Sequence, residues 1–350
     1  MGPPPISVPP SVPPAAPSAA PSAAPRPLRF GFVLVPGFSL VALSCAVEVL
    51  RAARLEAPDA GFGWALLAPG GEAGLVASSS GIALETVAWP GAPAPDAPSP
   101  HAPDAPPPDA LAVCGGERTH VFRHAGLEGR LREAARRGAM IGALSDGAFL
   151  VAATGLYARA RSTIHWKCQS AYRERHPGLD VRASIFEIDG ARFSCAGGTA
   201  SLDLMLRLVS RTLGLEAAGR IADNYVHDRM RGEDQMQHEG GFRFAGRSAA
   251  MVAALAAMEA NMEVPLPIAE VARRAGTGPR QLDRLFRRHL GVAPSEHYRE
   301  MRLVRASGLL RQSDLAVGEI ASACGFASPS HLARLFRGRF GASPSEYRRS

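Results

Sequence analysis

Arginines occupy equivalent positions in two similar segments near the end of the chain. The segment IAEVARRAGTGPRQLDRLFRRHLGVAPSEHYR, which begins at Ile268, recurs as VGEIASACGFASPSHLARLFRGRFGASPSEYR, which begins at Val317. Both copies contain Arg-Leu-Phe-Arg, and the planar guanidinium of arginine suits bidentate hydrogen bonds to phosphate and guanine. The repeat therefore indicates two similar places at which the chain could bind a polyanion.

Each copy has the pattern of a helix-turn-helix motif. A short helix of small apolar residues is followed by a glycine turn, at Gly276 and Gly325, and then by a helix with a Leu-x-x-Leu-Phe core stripe. With that stripe inward, the outer faces of the two second helices carry Arg280, Gln281, Asp283, Arg284 and Arg287, and Ser330, His331, Arg334 and Arg337. Residues 294–311 between the copies are predicted as one continuous helix. The alternative is a protein-interaction domain, because such domains also contain helix-turn-helix geometry. The arginines on the outer helix faces would then only be solvated.

A second candidate site is the sequence Ser145-Asp146-Gly147, which we call the elbow. It lies between a predicted strand and a predicted helix, so a serine there would sit on a tight turn beside helix N-terminal amides. His165 could supply a base for such a nucleophile. Without catalysis the elbow would be a ligand pocket, in which Glu48 and Asp146 could bind a cation. The structural alternatives are a helix cap for Asp146, a solvated charge for Glu48 and a hydrogen-bonding role for His165.

Strand and helix patterns alternate around the elbow. This alternation predicts a parallel sheet with helices on both faces, in which ligands bind beyond the carboxyl ends of the strands. Gly115 and Gly116 follow one such strand and join the predicted pocket. Thr199 is expected to cap a helix over residues 202–213, and residues 185–188 and 192–195 form a hairpin pattern. The other predicted strands cover residues 29–35, 62–67, 110–114 and 139–144, and the other helices residues 39–54, 127–137 and 148–156.

Charge and proline are unevenly distributed along the 350 residues. Residues 242–350 contain 17 Arg and 9 Asp plus Glu, so the rest of the chain is nearly neutral although the whole carries +7. This asymmetry and the length predict two domains, the second of which binds a polyanion. Prolines concentrate in residues 1–27 and 90–108, which we interpret as a disordered tail and a disordered loop. A polyproline site for a partner protein is the alternative.

Several classes of protein are disfavoured by the sequence. The five cysteines form no CxxC pair, which argues against a disulfide framework and a structural zinc site. No apolar stretch is long enough for a membrane span, and the N-terminus lacks the features of a signal peptide. We therefore expect a cytoplasmic protein with no membrane partner, no metal site and no cofactor.

The first domain resembles a known family over roughly residues 28–230. The segment GALSDGAFLVAATGL resembles the elbow of PfpI-like proteins of the class I glutamine amidotransferase-like fold. More closely, the domain resembles the sensor half of GlxA-type regulators, with FSLVALSCAVEVLRAAR, AVCGG and FSCAGGTASLDLML in the same order. The resemblance implies an α/β flavodoxin-like parallel-sheet sandwich. Ser145 stands where the enzymes have their nucleophilic cysteine, and Ala42 stands where they have an acidic residue. With these two differences from the enzymes, the resemblance implies a ligand pocket that retains the shape of the elbow but does not catalyse a reaction.

About the last 100 residues resemble the AraC/XylS-type DNA-binding domain, an all-α domain with two helix-turn-helix motifs. The resemblance implies two recognition helices in successive major grooves of double-stranded DNA. By position, Arg280, Asp283, Arg284, Ser330, His331 and Arg334 are the candidates for reading bases. Arg284 and Arg334 could each contact a guanine, while Arg287, Arg288, Arg337 and Arg339 are candidates for phosphate contacts.

Together these patterns predict a metabolite-responsive transcriptional regulator. We expect a sensing domain at residues 28–215, a connecting segment at 216–246 and a DNA-binding domain at 247–350. The GlxA-type resemblance implies an amine or amino-acid-like effector, and a homodimer through the first domain is also expected. The alternatives are an amidase or hydrolase that is targeted to DNA and uses Ser145, and a nucleoid protein that binds any duplex.

Overall fold

The computed structural model describes most of the two predicted domains. The described residues are 28–89, 107–116, 118–124, 126–237 and 249–349. The predicted tail at 1–27, nearly all of the predicted loop at 90–108, and residues 238–246 of the predicted connecting segment lie outside them. Among the described residues, no helix has the length and apolarity needed to cross a bilayer.

A six-stranded sheet forms the centre of the first domain. The strands of the domain are β1 (Arg29–Leu34), β2 (Gly63–Leu67), β3 (Gly74–Ala77), β4 (Ala83–Thr86), β5 (Ala110–Cys114), β6 (Met140–Leu144), β7 (Arg161–Ser162), β8 (Asp180–Val181), β9 (Phe186–Asp189) and β10 (Arg192–Cys195). The order in the sheet is β2-β1-β5-β6-β10-β9, and all neighbours are parallel except the hairpin β9–β10. The strands β3 and β4 pair with each other, as do β7 and β8. The predicted flavodoxin-like parallel sheet is confirmed.

Helices cover both faces of this sheet. They are α1 (Leu40–Glu56), α2 (Leu127–Arg136), α3 (Ala148–Ala153), α4 (Gln169–Arg175), α5 (Ala200–Leu213) and α6 (Leu215–Asn224). One apolar core lies between the sheet and α1, α5 and α6, and it includes Phe32, Val49 and Leu206. A second core lies on the opposite face with α2, α3 and α4, and it includes Val113 and Phe149. The sheet is thus buried on both sides, as parallel sheets usually are.

Residues of the predicted connecting segment pack on the first domain. Ala218 and Ile221 of α6 are fully buried, and the helix packs on α5 and α1. The carboxylate of Asp203, in α5, is also fully buried, and it accepts hydrogen bonds from His227 Nε2 and from the backbone N–H of Arg231, both at 2.8 Å. Thr199 immediately precedes α5, but its hydroxyl accepts a bond from Arg231 instead of capping the helix as predicted.

The second domain is entirely helical. Its helices are α7 (Ala249–Glu259), α8 (Ile268–Arg274), α9 (Pro279–Leu290), α10 (Pro294–Gln312), α11 (Val317–Ala323), α12 (Pro329–Phe340) and α13 (Pro344–Arg349). The pairs α8–α9 and α11–α12 form the two predicted helix-turn-helix motifs, which are confirmed. Gly276 and Gly325 have φ of 65° and 67° in their turns, a conformation that glycine adopts without steric cost. The single helix α10, about 28 Å long at 1.5 Å per residue, joins the motifs.

Candidate DNA-binding surface and ligand site

The first recognition helix, α9, is held by its apolar stripe. Leu282 and Phe286 are fully buried, in a core that also contains Met251 of α7 and Val271 of α8. Proline occupies the first turn of α9, where no backbone N–H is needed, and Gly291 ends the helix with φ of 74°. The packing therefore fixes which face of α9 points outward.

The second recognition helix, α12, is built in the same way. Leu332 and Phe336 are fully buried, and Gly341 ends the helix with φ of 76°. The hydroxyl of Ser328 caps the N-terminus by accepting the backbone N–H of His331 at 3.1 Å. The His331 ring meets Phe326 edge-on at 5.9 Å, which orients it at the start of the helix.

The arginines of the two recognition helices differ in their electrostatic partners. Arg287 pairs with Asp283 within α9 at 2.9 Å, Arg337 lies 3.5 Å from Glu346, and Arg339 pairs with Glu300 at 2.7 Å. Arg280, Arg284 and Arg334 are exposed and form no ion pair within the described part of the chain. These last three are available to an external acceptor without first breaking an internal one.

A concave groove runs along the outer face of α12. It encloses about 560 Å³ and is lined by Ser330, Ala333, Arg334, Arg337, Gly338 and Ser343. Four of these lining residues are small, and the other two are arginines. The groove can therefore receive part of a polyanion, and the two arginines can donate bidentate hydrogen bonds to it.

The elbow lies at the carboxyl edge of the sheet, as predicted. Ser145 directly follows β6 and has φ of 56°, a strained value for a residue other than glycine. The loops at this edge of the sheet approach each other so closely that two positions require glycine. A Cβ on Gly115 would overlap the backbone nitrogen of Gly147, and a Cβ on Gly197 would lie 2.6 Å from the Cβ of Ser145.

The backbone and side chain of the elbow are nearly buried. Ser145 is 8% exposed and Asp146 is 7% exposed. The backbone N–H of Gly197, which approaches Ser145, donates to the thiol of Cys195 at 3.4 Å, and burial raises the pKa of this thiol. Oδ1 of Asp146 accepts a hydrogen bond from Cys168 Sγ at 3.1 Å. Burial and the Asp146 charge raise the pKa of Cys168 well above its usual value, so this thiol stays protonated and can donate.

Comparison with known proteins identifies relatives over most of the chain. Residues 271–350 match the family model described as a helix-turn-helix domain. The HTH-type transcriptional regulator GlxA of Rhizobium meliloti (strain 1021) is 39% identical over 306 residues, which cover 87% of this chain and 90% of the relative. This chain belongs to the GlxA-like family of HTH-type transcriptional regulators. The regulator CdhR of Pseudomonas aeruginosa is 37% identical over 303 residues, which cover 86% of each chain. As a GlxA-like regulator, the chain is a DNA-binding transcriptional regulator of the AraC type.

The predicted pocket residues of this GlxA-like regulator lie in three places. Gly115, Gly116, Ser145 and Asp146 come together at the elbow, where Gly116 approaches Gly37 in the loop that follows β1. His165 begins the turn that carries Cys168 to Asp146, and its ring lies 5.7 Å from that of Trp166. Glu48 lies further along α1. Its Oε2 accepts bonds from Arg51 Nε at 2.7 Å and from the Tyr225 hydroxyl at 3.1 Å.

Sequence reasoning missed two contacts that α10 of this GlxA-like regulator makes, one within its own domain and one with the first domain. Arg302 of α10 donates to the carbonyl of Gly325 at 2.8 Å and lies 4.7 Å from the Phe326 ring, so it fixes α10 to the turn of the second motif. Cys168 and Gln312 contact each other across the domains. Periodicity carries no signal for such contacts, because it describes one helix at a time.

Proposed function

We propose that this regulator reads a specific DNA sequence with α9 and α12 and senses a small metabolite at the elbow. The observation that carries the sensing role is the nearly buried Asp146 carboxylate at the carboxyl edge of the sheet, beside the glycine-lined ends of β1 and β5. Ligands of open parallel sheets bind at this edge. A carboxylate there favours a cationic ligand, which supports an amine or an amino-acid derivative.

Ligand-induced stabilisation tests the sensing role. Thermal unfolding of the full chain is measured with a panel of amines, amino acids and quaternary amines. A ligand at 100 times its Kd should stabilise the native state by about 2.7 kcal/mol. The shift should disappear in Asp146→Asn and persist in Glu48→Gln, because Glu48 is already engaged by Arg51 and Tyr225. A panel without any shift, or a shift that Asp146→Asn retains, would count against this site.

A second candidate function rests on the backbone of Ser145. Its φ of 56° is the geometry of a strained nucleophile on a strand-to-helix turn, which supports the alternative of a hydrolase targeted to DNA. The core residue Ala42, fully buried, supplies no acidic neighbour. Turnover of small amides that is present in the wild type and lost in Ser145→Ala would favour the hydrolase.

A homodimer through the first domain remains part of our proposal, and sedimentation velocity of the full chain tests it.

A further inference from the structure

The last turns of α10 lie directly on the first domain, close to the elbow. A Cβ built on Gly308 would stand 2.9 Å from the carbonyl oxygen of Lys167, so the helix approaches this backbone as closely as a glycine allows. Leu309 and Leu310 are buried in the core that also contains Tyr172 of α4. The second apolar core of the sheet therefore continues into the DNA-binding domain.

A chain of hydrogen bonds crosses this contact and ends at the elbow. Gln312, the last residue of α10, donates from Nε2 to Cys168 Sγ at 3.0 Å. The Cys168 thiol donates in turn to Oδ1 of Asp146 at 3.1 Å. Because the thiol is held protonated, it can accept from the amide and donate to the carboxylate at the same time. The carboxylate that we assign to ligand binding is thus two hydrogen bonds from the helix that joins the recognition helices.

The contact between α10 and the first domain leaves one buried hydrogen-bond acceptor unpaired among the described residues. Oε1 of Gln312 is buried and has no hydrogen-bond partner among the described residues. An unpaired buried acceptor costs free energy, so this contact is held less firmly than its apolar area suggests. An exposed ion pair at the rim, between Arg175 and Asp314 at 3.0 Å, adds little, because Asp314 is 93% exposed. A contact of this kind can be shifted by a modest change in binding free energy at one end.

We propose that Asp146, Cys168 and Gln312 couple the elbow to the DNA-binding domain, and that an effector which engages Asp146 releases α10 from the first domain. This inference rests on the proposed sensing function. When the effector binds the Asp146 carboxylate, the Cys168 thiol loses its hydrogen-bond acceptor. The hydrogen bond between Cys168 and Gln312 is weakened as a result. Arg302 ties α10 to the turn at Gly325, so release of α10 moves the second helix-turn-helix motif with it.

The docking contact is tested first, with the full chain. Gly308→Leu should force α10 away from Lys167, whereas Gly219→Leu, in α6, meets open space and serves as the matched control. Amide hydrogen exchange over residues 166–176 should become at least about tenfold faster in Gly308→Leu and stay unchanged in the control. Unchanged exchange in a folded Gly308→Leu chain would overturn the docked arrangement.

A double-mutant cycle then tests the coupling without any effector. Duplex DNA that the wild-type chain enriches from a random pool is titrated with Asp146→Ala, Gln312→Met and the double variant. Each single substitution should change the Kd by about fivefold or more in the same direction, and the double variant should change it no further. The control cycle, Glu48→Gln with Gln312→Met, should give independent effects.

The outcomes separate this inference from the proposed function. Independent effects of Asp146→Ala and Gln312→Met on the Kd would overturn the relay even if a ligand for the elbow is found. Failure of the wild-type chain to enrich any duplex would instead contradict sequence-specific DNA reading. If the Gln312→Met chain were poorly folded, Cys168→Ala in the same cycle would interrupt the relay at its centre, and independent effects there would overturn it equally.

Discussion

Replacement of Arg334 by alanine should reduce sequence-specific binding far more than general binding to DNA. Arg334 is exposed, lines the 560 Å³ groove of α12 and forms no ion pair among the described residues, so its guanidinium is available to a base. A bidentate contact to guanine contributes about 1 to 3 kcal/mol of discrimination. Since about 1.4 kcal/mol corresponds to a tenfold change, the affinity for the preferred duplex should fall by about 5- to 150-fold.

Arg339→Ala provides the matched comparison for this measurement. Arg339 is also exposed at the end of α12, but it pairs with Glu300 at 2.7 Å. We expect Arg339→Ala to weaken binding to all sequences by a similar small factor and to lower the salt dependence by about one phosphate contact. Fluorescence anisotropy of labelled duplexes at several salt concentrations, with a preferred and a scrambled sequence, measures both quantities.

Equal losses for the preferred and the scrambled duplex in Arg334→Ala would refute the assignment of Arg334 to base reading. The residue would then be a phosphate contact, and specificity would have to come from elsewhere on α9 or α12. Equal affinity of the wild type for both duplexes would be a stronger result, because it would favour the nucleoid-protein alternative over a specific regulator.

Three further predictions concern stability. Burial, aided by the Arg175 charge, lowers the pKa of His120 to about 4. Below pH 6.5 the unfolded chain therefore binds a proton at this histidine, whereas the native state binds it only near pH 4. Unfolding free energy should therefore drop by about 2 kcal/mol from pH 7.5 to pH 5, and His120→Gln should flatten this slope in urea titrations. Asp203→Ala should cost about 3 kcal/mol by the same assay, because it leaves Arg231 without its buried partner, whereas the exposed control Asp228→Ala should cost little; a loss in Asp203→Ala as small as that in the control would contradict this account. Gly115→Ala should cost about 1 to 3 kcal/mol through overlap with the elbow backbone; an unchanged melting temperature would show that the loops can separate.

The regular elements were predictable wherever the sequence pattern is long and local. The predicted helix at residues 127–137 is observed as Leu127–Arg136, and the predicted strand at 110–114 is observed unchanged. The predicted helix at 148–156 ends earlier, at Ala153, because the Thr154 hydroxyl bonds back to Val151 and Gly155 turns with φ of 79°. Local side-chain bonding of this kind competes with the helix.

The missed elements have weak patterns for physical reasons. The β3–β4 hairpin is largely exposed, with Leu75 at 75% exposure, so it shows no clear alternation of apolar and polar residues. Helix α6 follows Gly214 directly, and its burial depends on packing against α5 and the distant α1, which its own periodicity does not reveal. For the candidate site, the outward faces of α9 and α12 follow from their own core stripes. The pairing of Glu48 with Tyr225 depends instead on a fold that brings together residues 177 positions apart.

Gly308 shows why the contact between the domains was invisible in the sequence. A glycine inside a helix lowers its stability by about 1 kcal/mol relative to alanine, so in a linear sequence Gly308 is only a weakness in the predicted helix. In the structure the missing side chain is what lets α10 reach the backbone of Lys167. The local cost is therefore offset by a non-local contact, and that contact brings Gln312 to Cys168, beside the elbow. Gly308→Ala should accordingly act in opposite directions on the two terms: it should favour the α10 helix itself while it weakens the docking of that helix on the first domain.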